Sequence, residues 1–169
     1  HAHRRHSPGS LQRPADIDNA QGAAAGPVLP REPERAPGDL HDSIIDKRID
    51  EVTLVCAGAG SAAIASLDML RALGMRLENI TVADDRGIVY AGRTESMDPY
   101  KAAYARETDA RAISECIEGA DMFLGLSVPN VLSKDDVARM AADPLIFALA
   151  NPVPEIWPEE VREVRDDAV

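Results

Sequence analysis

From about residue 50 onward, apolar and polar positions fall into short, regularly alternating blocks. Glu51-Val52-Thr53-Leu54-Val55-Cys56-Ala57 is an apolar, β-branched run set between charge and glycine. Such a run predicts a strand buried on both faces, as in a parallel sheet. Ala62 to Leu73 is rich in Ala and Leu and predicts a helix, with Gly74 as its C-terminal cap. Ile80-Thr81-Val82-Ala83 predicts a second strand that ends in Asp84-Asp85-Arg86-Gly87, with Ile88-Val89-Tyr90 as a short extension. Residues 99–106 and 109–118 read as helical. Asp121 to Leu126 predicts a third strand, and Leu145 to Leu149 a fourth. Between them, Ser133 with Asp136 three residues on predicts a capped helix. Pro158, followed by Glu159 and Glu160, opens a last helix, because proline suits a first turn and acids suit its positive end. Strand and helix alternate, so the expected fold class is α/β, a doubly wound parallel sheet with helices on both faces.

Before this region the pattern is absent. All four histidines (His1, His3, His6 and His41) and the prolines Pro8, Pro14, Pro27, Pro30, Pro33 and Pro37 lie early in the chain. Ala20 to Pro37 mixes Ala, Gly, Pro, Arg and Glu without helical or strand periodicity. It offers too little apolar surface to offset the entropy of ordering it. Residues 1–42 are therefore expected to be an irregular or disordered segment, and 43–169 to form the domain. His1, His3 and His6 on such an arm are not taken as a metal site.

Composition narrows the function classes. The 169 residues carry a formal net charge of −11, which disfavours binding to nucleic acid or to an anionic membrane surface. Aromatics make up 4%, so the core must be aliphatic and alanine-rich. Cys56 and Cys116 form neither a disulfide framework nor a metal-binding spacing. No apolar run reaches the roughly 18–20 residues of a membrane span, and the basic start lacks the apolar stretch of a signal peptide. A cytoplasmic domain that binds a small molecule or a protein is expected.

The chemistry centres on Gly58-Ala59-Gly60-Ser61-Ala62-Ala63, a G-x-G-x-x-A turn between the first strand and the first helix. The first glycine permits the tight turn, the second lets backbone approach a pyrophosphate, and the small third residue lets helix pack on strand. The helix start offers unpaired N–H groups and a positive dipole end. In this context the sheet is expected to be of the Rossmann type. Asp84 lies 26 residues past Gly58, at the end of the next strand, where its carboxylate can accept from an adenosine ribose. Asp84 and Asp85 would repel a 2′-phosphate, favouring NAD, whereas Arg86 would pair with one, favouring NADP. Ser127, after the third strand, and Asn151, after the fourth, fall at the strand ends where ligands of such sheets sit. An asparagine amide there can donate to a carboxylate or a carboxamide. The plain alternatives are a ligand-free βα turn, solvated turn acids neutralised by Arg86, and turn-forming roles for Ser127 and Asn151.

The same residues resemble the cofactor domain of bacterial malic enzymes. The runs are Gly58 to Ala65, Asp84 to Arg93, Met97-Asp98-Pro99-Tyr100-Lys101, Ile117 to Asp121, Phe123-Leu124-Gly125 and Phe147 to Pro152, with Pro154-Glu155-Ile156 and Pro158-Glu159-Glu160. Together they span roughly Asp46 to Val169. They look most similar to the malic enzymes that often carry a phosphotransacetylase-like C-terminal extension. The resemblance implies oxidative decarboxylation of L-malate to pyruvate and CO2, with NAD or NADP and a divalent Mg or Mn ion. It places the dinucleotide on Gly58, Ala59, Gly60, Ser61, Ala62, Asp84, Arg86 and Ser127, and puts Asn151 near both substrate and nicotinamide. The family's catalytic tyrosine and lysine belong to an N-terminal domain not matched here. Its metal-binding acids precede the glycine turn, where this chain has Ala24-Ala25-Gly26-Pro27-Val28. No catalytic or metal-ligating residue is therefore assigned. A C-terminally truncated NAD(P)-binding domain, inactive by itself, of an enzyme that is a homo-oligomer when whole is the expectation. The alternatives are a non-catalytic dinucleotide-binding module and a remnant that binds nothing.

Overall fold

The structure, a computed structural model, describes residues 47–169; the expectation for residues 1–42 lies outside them. Leu54–Ala57 (β1), Ile80–Asp84 (β2), Met122–Gly125 (β4) and Leu145–Ala148 (β5) are parallel, as the apolar runs predict. β1, β4 and β5 are shorter than their apolar runs by one to three residues, whereas β2 extends one residue further, to Asp84. Gly87–Ile88 (β3) departs from the expected all-parallel sheet. It folds back antiparallel on β2, pairing Ala83 with Ile88 and Asp84 with Gly87. The strand order is β3-β2-β1-β4-β5. The chain leaves β1 on one side to form β2 and returns across it to form β4, so strand order reverses beside β1.

Alternation along the strands builds two cores. Leu54, Cys56, Ile80, Val82, Met122 and Leu124 pack on one face with Ala63, Ile64 and Leu67 of Ser61–Ala72 (α1). Val55, Ala57 and Phe123 face the other way, against Val137 of Lys134–Arg139 (α3) and Val161 of Pro158–Arg162 (α4). Successive side chains on a strand point to opposite faces, so each strand feeds both layers. The caps follow the sequence. Gly74 N–H donates to Arg71 O and Met75 N–H to Leu70 O, the paired closure of a glycine-terminated helix. Ser133 and Asp136 cap α3 reciprocally.

The two helices expected over 99–106 and 109–118 are largely absent. Only Pro99–Ala102 (α2) and a single 3-10 turn at Ile113–Glu115 form. The intervening chain runs extended along the sheet edge. Ile88 N–H donates to Arg111 O, Arg106 N–H to Val89 O, and Ala91 N–H to Arg106 O. An edge strand with unpaired amides outcompetes local helix propensity, because those amides need partners.

Candidate dinucleotide site

At the carboxyl ends of β1, β2 and β4 lies a cleft of about 1070 Å³, roomy enough for a large cofactor. Its floor is Ala57-Gly58-Ala59-Gly60-Ser61, and its walls include Asp84, Lys101 and Ser127. Gly58 has φ +121, and a β-carbon on it would meet Leu126 O at 2.5 Å. The glycine is thus required by the turn itself. Gly60 differs. Its φ is −80, and a β-carbon there would have nothing within 4 Å. The fold does not need a glycine at 60, yet open space lies where a side chain would project.

The start of α1 is left bare. No side chain caps it and its first turn holds no acid. The other helices are served. Asp98 accepts from Tyr100 N–H at 2.8 Å and Lys101 N–H at 2.9 Å ahead of α2, and Glu160 accepts from Trp157 N–H at 3.1 Å ahead of α4. A bare helix start with exposed Gly60, Ser61 and Ala62 presents N–H groups and partial positive charge to an anion.

Asp84 occupies the cleft wall where expected, but its carboxylate is already engaged. Oδ2 accepts from the Arg93 guanidinium and from Lys101 Nζ at 2.9 Å, and Oδ1 accepts from Arg86 N–H at 2.9 Å. About one of its four acceptor positions is left for a ribose. Burial pushes this carboxyl's pKa up, but the hydrogen bonds from Arg93, Lys101 and Arg86 outweigh that and hold it at about 2. Asp84 is therefore ionised throughout the physiological range. Sequence reasoning assigned no site role to Arg93 or Lys101. Arg93 is buried and also donates to Glu95 O, Gly87 O and Ile88 O, so it braces the β2–β3 turn beneath the cleft.

The remaining expected residues divide. Ser127 lines the cleft. Arg86 does not; it is exposed and reaches Asp85 at 3.5 Å and Glu95 at 3.6 Å. Asn151 is exposed just beyond β5, outside the cleft lining, and its peptide bond to Pro152 is cis. Glu155 has no assigned role in the sequence pattern, yet the structure gives it one. It is fully buried, and its carboxylate accepts from Ser127 N–H at 2.9 Å and Ala150 N–H at 3.0 Å. The available signal was an acid standing alone in the otherwise apolar run Val153-Pro154-Glu155-Ile156. Beside the glycine turn, Cys56 Sγ donates to Gly58 O at 3.4 Å, and burial with the nearby Glu155 charge pushes its thiol up to about 12. Among the described residues, no group of three or more His, Cys, Asp or Glu side chains is placed to hold a metal ion.

Comparison with known proteins supplies the decisive observation. The family model "Malic enzyme, NAD binding domain" matches residues 41–169. The chain belongs to the malic enzyme family, as a NAD-binding domain. It is 53% identical over 116 residues to a NADP-dependent malic enzyme of Rhizobium meliloti, covering 69% of this chain and 15% of that protein. It is 54% identical over 123 residues to a NAD-dependent malic enzyme of the same organism, covering 73% of this chain and 16% of that protein. The fold agrees. A NAD-dependent malic enzyme from Thermotoga maritima superposes with a TM-score of 0.63 at 36% identity, covering 70% of this chain and 32% of that one. The chain thus spans a small part of the malic enzymes it matches. Near-equal identity to relatives named for either cofactor means that overall similarity does not choose between NAD and NADP.

Proposed function

We propose that this domain holds NAD or NADP with the diphosphate at the amino end of α1, as the cofactor-binding part of a malic enzyme. The observation that carries the reading is Gly60. Its backbone is extended and the space a β-carbon would enter is open, which leaves room for a diphosphate to approach the backbone at the bare start of α1. Adenosine lies on the β2 side, by Asp84, and the nicotinamide half lies toward β4 and β5, by Ser127 and Asn151. Lys101 is the cation inside the cleft and Arg86 is not, so a 2′-phosphate would meet Lys101 first. Gly58, Ala59, Ser61 and Ala62 contribute backbone amides and close packing rather than side-chain chemistry.

The bound dinucleotide supplies hydride acceptance. The chain's own residues bind and orient it: the bare amides of α1 neutralise diphosphate charge, and Asp84 fixes a ribose hydroxyl. In the whole enzyme the reaction is oxidative decarboxylation of L-malate to pyruvate and CO2. Asn151 there faces substrate and nicotinamide, in a cytoplasmic homo-oligomer that uses Mg or Mn. The described residues offer no donor set that fits such an ion, so no step through a metal is assigned to them. The net charge of −11 disfavours nucleic acid and anionic membrane surfaces as partners. Among the described residues no helix is long and apolar enough to cross a membrane.

The test is calorimetric titration of NAD and NADP into the purified chain and its Gly60→Asp variant. Saturable binding is expected, and loss of it in the variant, because a carboxylate would take the place of the diphosphate. Absence of saturation into the millimolar range, or unchanged affinity in Gly60→Asp, overturns the reading.

A further inference from the structure

Behind the Ser127 wall of the cleft lies a buried acid that none of the dinucleotide contacts above uses. Glu155 is 0% exposed, and each of its oxygens is held by a backbone amide rather than by a cation: Ser127 N–H at 2.9 Å on Oε1, Ala150 N–H at 3.0 Å on Oε2. Ser127 is the second residue after β4, and Ala150 the second after β5. One carboxylate therefore ties together the exits of two neighbouring strands. Gly125, the last residue of β4, makes room for it: a β-carbon there would overlap Glu155 Cδ. Next along the chain, Leu126 packs its backbone against Gly58 of the phosphate turn. Glycine turn, β4 exit, Glu155 and β5 exit are thus stacked in direct contact.

Burying a carboxylate is costly unless every lone pair that matters is used, so a merely space-filling role is a poor use of an acid here. The groups it holds are specific. Ser127 forms the cleft wall opposite Asp84, and Ala150 immediately precedes Asn151. If the diphosphate sits at α1 and adenosine toward β2, the other half of the dinucleotide must extend over these two exits.

We propose that Glu155 is a positioning residue for the nicotinamide half of the cofactor. By accepting from both amides it sets the separation of the β4 and β5 exits, and so the wall against which that half docks. The adenosine and diphosphate end, held by α1 and Asp84, is independent of it. This inference rests on the dinucleotide reading above.

The discriminating variant is Glu155→Gln. Glutamine keeps the shape but has one acceptor oxygen; its amide nitrogen would face a backbone N–H, so one of the two ties is lost. Calorimetry with NAD+ and with ADP, on the full chain, separates the two ends of the site. The expected result is about a tenfold weakening for NAD+, with ADP changed less than about twofold. A structural role alone would move both ligands together. Gly125→Ala provides a second perturbation, displacing the carboxylate without removing it, and the same split is expected. Amide hydrogen exchange on the unsubstituted chain is independent of either variant's folding. Ser127 and Ala150, although in loops, should be protected like strand amides. Equal losses for NAD+ and ADP, no loss for NAD+, or fast exchange at the two amides overturns the proposal. Failure of the unsubstituted chain to bind either nucleotide overturns the dinucleotide reading instead. ADP binding with no further gain from the nicotinamide half overturns only the role of Glu155.

Discussion

Replacing Asp84 with asparagine tests the electrostatics of the cleft wall. The Asp84 side chain is 6% exposed, its Arg93 partner 3% and its Lys101 partner 15%, so solvent screens the cluster weakly. With the carboxyl held at about 2 against an ordinary 3.8, linkage assigns the ionised form about 2–3 kcal/mol of folding stability. Asparagine removes that charge and leaves one amide oxygen for the three donors Arg93, Lys101 and Arg86 N–H, while its NH2 would face one of them; Arg93 keeps its backbone acceptors Glu95 O, Gly87 O and Ile88 O. A loss of about 2–4 kcal/mol is expected at pH 7. For a domain of this size that lowers Tm by roughly 10 °C. The sign with pH is fixed. The folded pKa is depressed, so the stabilisation is complete above the unfolded value and is lost as pH falls from about 4 toward 2. Circular-dichroism melts of both proteins between pH 7 and pH 3 check this: the Tm gap should be full at pH 7 and shrink below pH 4. A gap that stays constant to pH 3 would show that the carboxylate charge is not its source, and would refute the argument.

Other substitutions separate fold from ligand. Gly60→Asp should abolish dinucleotide binding while Tm holds or rises by a degree or two, because aspartate is a good helix N-cap and meets no obstacle there. Gly58→Ala should instead lower stability by about 2–3 kcal/mol in a urea melt, since φ +121 and Leu126 O at 2.5 Å both oppose a β-carbon. Cys56, with its thiol near 12, should resist a maleimide at pH 7 until the chain is unfolded in urea. Labelling of Cys56 in the native state, located by peptide mapping to separate it from the half-exposed Cys116, would place the glycine turn less deeply than described.

The candidate site was legible where chemistry is local. The glycine turn, the acid ending the second strand and the cap at Ser133 are short-range patterns, and each took its expected place. Arg93 and Lys101 carry no such local pattern. Their meeting at Asp84 spans 9 and 17 residues and depends on the antiparallel return of β3 and on the Asp98 cap. Arg86, only two residues past Asp84 in the chain, turns its side chain to the surface instead. Neighbourhood in sequence does not set the direction of a long, flexible cation.

Alternating apolar blocks were enough to specify an α/β sheet, its parallel core strands and the glycine turn, because burial periodicity and glycine's freedom act within a few residues. Long-range pairing settled the rest. The stretch from 103 to 112 gave up its helix to satisfy the β3 edge, through Arg106 and Arg111. Glu155, an acid in an apolar run, acquired its purpose only when β4 and β5 were laid side by side and two amides were left facing it. Backbone groups that need partners, and charges that cannot be buried alone, are matched across the whole fold, and no window along the chain contains that information.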